Sequence, residues 1–567
     1  MKKLIFLLFC LTSLIRIVSA QSQLKQVNQA QLDINRRGEV YFSFQLNDLS
    51  QIPSITKEIS ISNIQGNTVY AYANKKEFSS FSARQIDFTV LTAPSELYTV
   101  EMSNDPKQVL TWNYYPTYPA YETLMTDFAA AHPAICKLIT IATLNSGRKI
   151  LGLRISDNVN TEENEPEFLY TSSIHGDEVT GYILMLHLAD YLLSGYGTDS
   201  RITNMVNNFD IVICPLSNPD GTYKGGNNTV NGATRYNANN VDMNRNYPDP
   251  QEGQHPDGNS WQPETVAFMN FADQNSFTMG ANFHGGAEVI NYPWDTWSKL
   301  TADDAWWKYV CHEYADTVFL NAQKINYLKD TYASGITNGF AWYQITGGRQ
   351  DYMNFYKHCR EVTIELSGVK ILPVNQLVDH WNYNYRSLLN YIEEAGYGLH
   401  GLVTDSVSGD PLFAKIYISG FDKDSSHVFT DPDVGDYHRL LKAGTYNVTY
   451  SAAGYFPKTI PVQISDKKTT LLNVKLSSSS LGINPETEYQ QAGISLYPNP
   501  VTNGSFVIES VNKVLSVTVR DAAGKVVSKS EPLTNRFSIE SNWPAGIYLI
   551  QIELKDKLIS KKVQVIK

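Results

Sequence analysis

Cysteine is scarce. The chain has 567 residues and 5 cysteines. One of these, Cys10, lies in the apolar start "MKKLIFLLFCLTSLIRIVSAQ". Cys136, Cys214, Cys311 and Cys359 remain, too few to scaffold so long a chain; three pairings and free thiols all stay open. Charge is sparse too, at 18% of residues with a formal net of −11, which argues against a general nucleic-acid binder that needs a basic face. Beyond the N-terminus no stretch is apolar for long enough to span a bilayer, and no short repeat recurs. Hydrophobic residues make up 42%, as in a globular protein. At roughly 150 residues per unit the length suggests three or four domains.

The first 20 residues read as a secretory signal peptide. Lys2 and Lys3 precede an apolar run too short for a membrane span, and Val18-Ser19-Ala20 suits cleavage. Residues 21–108 are expected to be β-rich, an accessory or pro-domain, because "EVYFSFQL" and "NTVYAYA" have strand composition. Residues 109–396 alternate strand and helix signals. "PEFLYTSSIHG" is a buried-looking strand running into a loop, "VTGYILMLHLADYLLSG" a helix ended by Gly195, and "FDIVICPLSNPDG" a strand stopping in a turn. That alternation predicts an α/β unit whose strand-end loops carry function. Residues 397–476 change to short strands divided by Gly, Asp, Ser and Pro, an all-β sandwich pattern. A polar linker is expected over 477–493. A last β-rich unit, 494–567, ends on basic residues.

His175 and Glu178 lie in a loop that enters a helix. Alone they read as a self-capped loop or as two ligands of a metal. Zinc suits a mixed His/Glu site and in catalytic sites takes three protein ligands. His284, after a short apolar strand and before two glycines, offers a third. "TRYNANNVDMNRNYPD" carries Arg235, Asn244 and Arg245, which together could hold a carboxylate, although alone the stretch reads more readily as a solvated loop. "CREVTIELSG" places Glu361 and Glu365 on one strand. A buried carboxylate beside a metal-activated water is a candidate general base, and the other reading of Glu365 is a surface acid on an edge strand.

Taken in order, these stretches resemble the zinc metallocarboxypeptidases of the carboxypeptidase A superfamily, in the regulatory branch of carboxypeptidases D, E, M and N. "HGDE", "NPDG", "DMNRNYPD", "QPET", "NFHGG", "GITNGFAWYQITGGRQDY" and "EVTIELS" carry the resemblance over roughly residues 112–396. It implies a mixed-sheet α/β carboxypeptidase domain binding one Zn2+ through His175, Glu178 and His284. It also implies Glu365 as general base and Arg235 as oxyanion stabiliser. Asn244 and Arg245 would hold the substrate's terminal carboxylate, with Tyr343 closing over it. Tyr343 precedes Glu365 by 22 positions, the spacing of the family's mobile tyrosine, which sets Tyr352 and Glu361 aside. Asp295, 11 positions after His284, and Gln350, 7 after Tyr343, match the branch's pocket for a basic side chain. Arg349 departs from the branch pattern.

The flanks are similar to known partners of that domain. "HGLVTDSVSGDP" resembles the start of a transthyretin-like domain. "LYPNP" and "AGIYLIQI" resemble the C-terminal sorting domain of the type IX secretion system. The resemblance therefore implies a secreted or cell-surface enzyme that crosses the periplasm and the outer membrane. Its partners would be peptide or protein C-termini and that secretion machinery, with neither nucleic acid nor a transmembrane segment. The alternatives are a peptidase of bacterial cell-wall peptides and a silent binding protein on the same fold.

Overall fold

The structure, a computed structural model, describes residues 21–479, 494–502, 504–555 and 558–566. The expected signal peptide, and most of the expected linker, lie outside the described residues. Residues up to 477 form one compact unit and those from 478 a second.

An eight-stranded mixed sheet organises the first unit. Its order is Ile336–Asn338, Ala287–Tyr292, Arg360–Ser367, Met279–His284, Glu167–Ser172, Asp210–Cys214, Lys149–Ile155 and Cys136–Thr143. The four strands from Arg360–Ser367 to Asp210–Cys214 run parallel. Parallel strands need helical crossovers and are covered on both faces, so they read as continuous apolar runs; Asp210–Cys214 is buried at every position. One face packs on the helices Thr180–Gly195, Asp304–Asn321 and Leu377–Glu394 through a large apolar cluster. The other packs on Pro263–Asp273 and Arg349–Tyr356 through a smaller one. The sheet thus lies inside two layers of helix, and chemistry is left to the loops beyond the carboxyl ends of its parallel strands. Cys136, Cys214, Cys311 and Cys359 are all buried and free.

The N-terminal region is β-rich as expected, but it is not all-β. Strands Val40–Gln45 and Thr68–Ala73 form where the composition placed them, in a four-stranded sheet with Ser60–Gln65 and Phe88–Val90. Residues 21–37 and Lys75–Ala83 are helical. Val27, Ala30 and Ile34 recur at helical spacing, and Ala30 and Ile34 are buried with the sheet's phenylalanines. Asn74 and Glu77 form a reciprocal capping box on the second helix.

Residues 398–476 form the expected sandwich, two four-stranded sheets around Val403, Ile416, Val448 and Val474. Buried charge joins it to the α/β layer: Asp303 pairs with Arg360 at 2.9 Å and with Arg439 at 2.9 Å, and Arg439 reaches Asp422 at 2.7 Å. The second unit is also a sandwich, with three strands from Ile494–Tyr497 and four ending in Leu558–Val565, closed over Phe506, Val519, Ile550 and Val563. Among the described residues no helix is long and apolar enough to cross a membrane.

Candidate active site

Two strand ends and one loop bring His175, Glu178 and His284 together. His284 is the last residue of its strand, in register with Glu365 on the next parallel strand. Glu365 is therefore on a central strand, not an edge. The loop carrying His175 packs against the "NPDG" turn. A Cβ on Gly176 would come within 2.4 Å of backbone atoms of Gly221 and Thr222, so only glycine allows the approach. Thr222 donates to the Gly176 carbonyl at 2.8 Å, and Asn218 to that of Ile174 at 3.2 Å. "NPDG" thus acts as the buttress of the His175 loop.

The ligand atoms converge. Nδ1 of His284 lies 3.1 Å from Nδ1 of His175 and 2.9 Å from Oε2 of Glu178, while His175 Nδ1 lies 3.1 Å from Glu178 Oε1. Tetrahedral zinc with bonds of about 2.0–2.1 Å sets its ligands roughly 3.3 Å apart, so this donor set fits the ion in type, number and spacing. Asp242 stands behind it, with Oδ1 3.1 Å from His175 Nε2. A carboxylate there holds the proton on Nε2 and leaves Nδ1 its lone pair, the usual support of a metal-binding histidine. Burial alone would raise Glu178, but His175, Lys370 and His284 outweigh it and hold its carboxyl well below the usual range. Burial lowers His284 to about 4, keeping that imidazole neutral.

Most of the remaining residues singled out from sequence line one cavity with these three. They are Arg235, Asn244, Arg245, Asp295, Tyr343 and Glu365. Arg235 Nη1 is 3.3 Å from Glu178 Oε1, and its Nε donates to Asp242 at 3.1 Å. The segment bearing it is fixed by Asn237, which donates to Gln262 at 3.0 Å and Glu264 at 2.9 Å, the role of the "QPET" stretch. Arg245 donates to the Asn244 carbonyl at 2.8 Å, and its Nε is buried without a partner. Oε2 of Glu365 is also unpartnered; burial and the nearby Glu178 push its carboxyl well above the ordinary range. Tyr343, raised to about 12 by burial, follows the short helix Gly339–Trp342. Asp295 is fully buried, accepts from Asn291 at 2.9 Å, and is pushed by burial to about 6.

Gln350 is the exception. It is buried and neither amide atom has a partner, but it does not line the cavity. Arg349 points away into the interior, pairs with Glu361 at 3.1 Å and covers the ring of Phe268. It puts no cation in the cavity. Tyr352 packs on Tyr247 in the core below.

Sequence reasoning assigned no role to Asp242, to Lys370, or to any N-terminal residue. Lys370 Nζ bridges Asp177 at 3.1 Å and Glu178 at 2.9 Å. Tyr72 donates to Asp177 at 3.0 Å. The strand Ser60–Gln65 slips register at Ser62, a bulge of the kind that re-aims side chains, and Ser62 lines the cavity. The Ser60 hydroxyl contacts Asp242 and accepts from Arg235 at 2.8 Å, while the Ile61 carbonyl accepts from Arg245 at 3.4 Å. Glu39 accepts the backbone N–H groups of Arg235 and Tyr236, both at 3.2 Å. The strand composition expected in residues 21–108 gave no sign that this region reaches the cavity.

Comparison with known proteins decides the family. The profile described as zinc carboxypeptidase matches residues 121–387. The catalytic chain of carboxypeptidase N from Rattus norvegicus is 32% identical over 402 residues, 64% of this chain and 87% of that protein. The chain belongs to the zinc carboxypeptidase family. Carboxypeptidase D from Mus musculus is 35% identical over 403 residues, 68% of this chain. This chain spans 28% of the length of that larger carboxypeptidase. A solved structure of thrombin activatable fibrinolysis inhibitor aligns with 63% of this chain and 98% of that one at 16% identity and a TM-score of 0.48, and the family assignment does not rest on it. At the other end, the profile of a secretion system C-terminal sorting domain matches residues 495–567.

Proposed function

We propose that the chain is a secreted zinc-dependent carboxypeptidase that removes Lys or Arg, one residue at a time, from the C-termini of peptides and proteins. The observation that carries this reading is the cavity itself. A His/Glu/His donor set, an unpartnered Glu365, two arginines with Asn244, and the buried Asp295 all face one space.

The substrate's terminal carboxylate is held by Arg245 and Asn244, a charge-assisted and directional pair. Arg245 is available for this because its Nε is unspent. Such an anchor restricts hydrolysis to the last peptide bond. His175, Glu178 and His284 would hold a zinc ion, which when bound would supply Lewis acidity there. Glu365, with its carboxyl raised by burial, takes a proton from the attacking water and returns it to the leaving amine. The guanidinium of Arg235, kept charged by Asp242 and Glu178 despite its burial, opposes the negative charge developing on the carbonyl oxygen. Asp295 receives the basic side chain, since an apolar residue would leave its charge buried and unpaired. Residues 21–108 act as a removable cover, because Ser60, Ile61 and Ser62 occupy contacts a substrate needs. The sandwich at 397–476 serves as the transthyretin-like companion domain, and residues 494–567 direct export through the type IX route.

The test is hydrolysis of matched blocked dipeptides ending in Arg, Lys, Phe and Glu, with and without a zinc chelator. Chelator-sensitive release of Arg and Lys well ahead of Phe is expected, and Asp295→Ala should cost Arg substrates about 3–5 kcal/mol, the penalty of breaking a buried pair. Equal losses on Arg and Phe would reject Asp295 as selector.

A further inference from the structure

One side chain of the N-terminal region reaches the groups behind the metal ligands. Tyr72 lies on the strand Thr68–Ala73 and is fully buried. The Lys370 ammonium stands 4.7 Å from the centre of its ring and the Arg235 guanidinium 5.6 Å. Those two cations meet at one ligand atom, Glu178 Oε1, with Lys370 Nζ at 2.9 Å and Arg235 Nη1 at 3.3 Å. The Tyr72 hydroxyl donates to Oδ2 of Asp177 at 3.0 Å, and Oδ1 of Asp177 pairs with Lys370 at 3.1 Å. Ring and hydroxyl therefore act on the same ammonium, one by its π face and one through a carboxylate. The other ligand oxygen, Glu178 Oε2, lies 2.9 Å from His284 Nδ1 and accepts the Gly285 N–H at 3.1 Å. With two cations on Oε1, the carboxylate has little freedom to turn away from the imidazoles. Ser60 repeats the pattern on the other side of the site: it contacts Asp242, whose Oδ1 lies 3.1 Å from His175 Nε2.

We propose that Tyr72 is a positioning residue of the metal centre, holding Lys370 and Arg235 on Glu178 so that the seated N-terminal region and the bound metal stabilise each other. This rests on the zinc reading of His175, Glu178 and His284 and gives the N-terminal region a second part in the site. Outer partners that orient a metal ligand are typically worth about 10–100-fold in affinity. Here the partner is delivered by a separate four-stranded sheet, so its contribution lasts only while that sheet is seated. By reciprocity the metal strengthens the seating by the same factor. With zinc in excess the site stays loaded after residues 21–108 are removed, so metal retention and access to the cavity are separate effects of that removal.

The experiment measures zinc dissociation constants of the full chain by competition with a chromogenic chelator. Tyr72→Leu should weaken zinc binding about tenfold or more. Tyr72→Phe keeps the ring beside both cations and should lose less. Lys57→Ala breaks an exposed contact between the N-terminal region and the catalytic layer, Lys57 to Glu252 at 2.9 Å, and should leave zinc affinity unchanged. Unchanged affinity in a folded Tyr72→Leu protein, or an equal loss in Lys57→Ala, overturns the proposal. Should Tyr72→Leu misfold, the wild-type chain still decides. Zinc should slow proteolytic cleavage within residues 21–108 about tenfold or more, and cleavage at one rate with and without zinc overturns the proposal. A wild-type chain that binds no zinc overturns the metal reading as well.

Discussion

At the scale of single residues, environment alone sets the candidate metal ligand Glu178 apart from the proposed base Glu365. Glu178 and Glu365 are both carboxylates lining the same cavity. Three neighbours with positive or proton-bearing nitrogens keep the first ionised, while burial and the charge of the first keep the second basic. Glu365→Gln should therefore lower kcat/KM by roughly 10²–10⁴-fold, the usual contribution of a general base, with zinc content still near one per chain by metal analysis. Loss of zinc in that variant would mean Glu365 belongs among the ligands. Much of this pairing was legible in sequence, because His175 and Glu178 share a loop and His284 ends a strand. Asp242 and Lys370 were not. Each acts on a residue far along the chain, His175 in one case and Asp177 and Glu178 in the other, and nothing local marks a buried second layer.

At the scale of elements, the parallel core was readable because strands covered on both faces are continuous apolar runs. The edges and the cover were harder. The strand Ser60–Gln65 has little strand composition, and its place at the cavity rests on a bulge that only pairing with Thr68–Ala73 creates. The proposed pocket for a basic side chain likewise depends on a close approach between elements, the helix Gly339–Trp342 against the turn after Ala287–Tyr292. Gly339→Ala should push Asp295 out of place, given the 1.7 Å approach. The expected result is a folded, zinc-loaded protein whose Arg preference over Phe falls at least tenfold, read from paired kcat/KM values. Retained preference would show that the turn can shift without losing its carboxylate. In the N-terminal region Val27, Ala30 and Ile34 lie at helical spacing, but the strand composition of the neighbouring segments is the stronger local signal.

At the scale of the whole molecule, the α/β layer, its N-terminal cover and the sandwich from 398 to 476 share one compact unit. The polar contacts between cover and catalytic layer are mostly buried, from Glu39 on the Arg235 backbone to Tyr72 on Asp177. Removing residues 21–108 by limited proteolysis should raise hydrolysis of small dipeptides by tenfold or more, with the gain in KM or in the active fraction rather than in pH profile. A chain that loses activity on cleavage would mean that the cover is a structural part of the site.

Arg245 offers a hydrogen to the carbonyl of Ile61, and that contact ties occupancy of the cavity to the seating of a whole domain. If Arg245 holds the substrate carboxylate as proposed, cover and ligand compete for the same guanidinium, and each would weaken the other by the same factor, as reciprocity of binding requires. A peptide that fills the cavity would then work as a wedge. In its presence the N-terminal sheet would sit less tightly, its edges would meet solvent more often, and a protease would find them sooner. Abundant substrate would then hasten the release of its own enzyme.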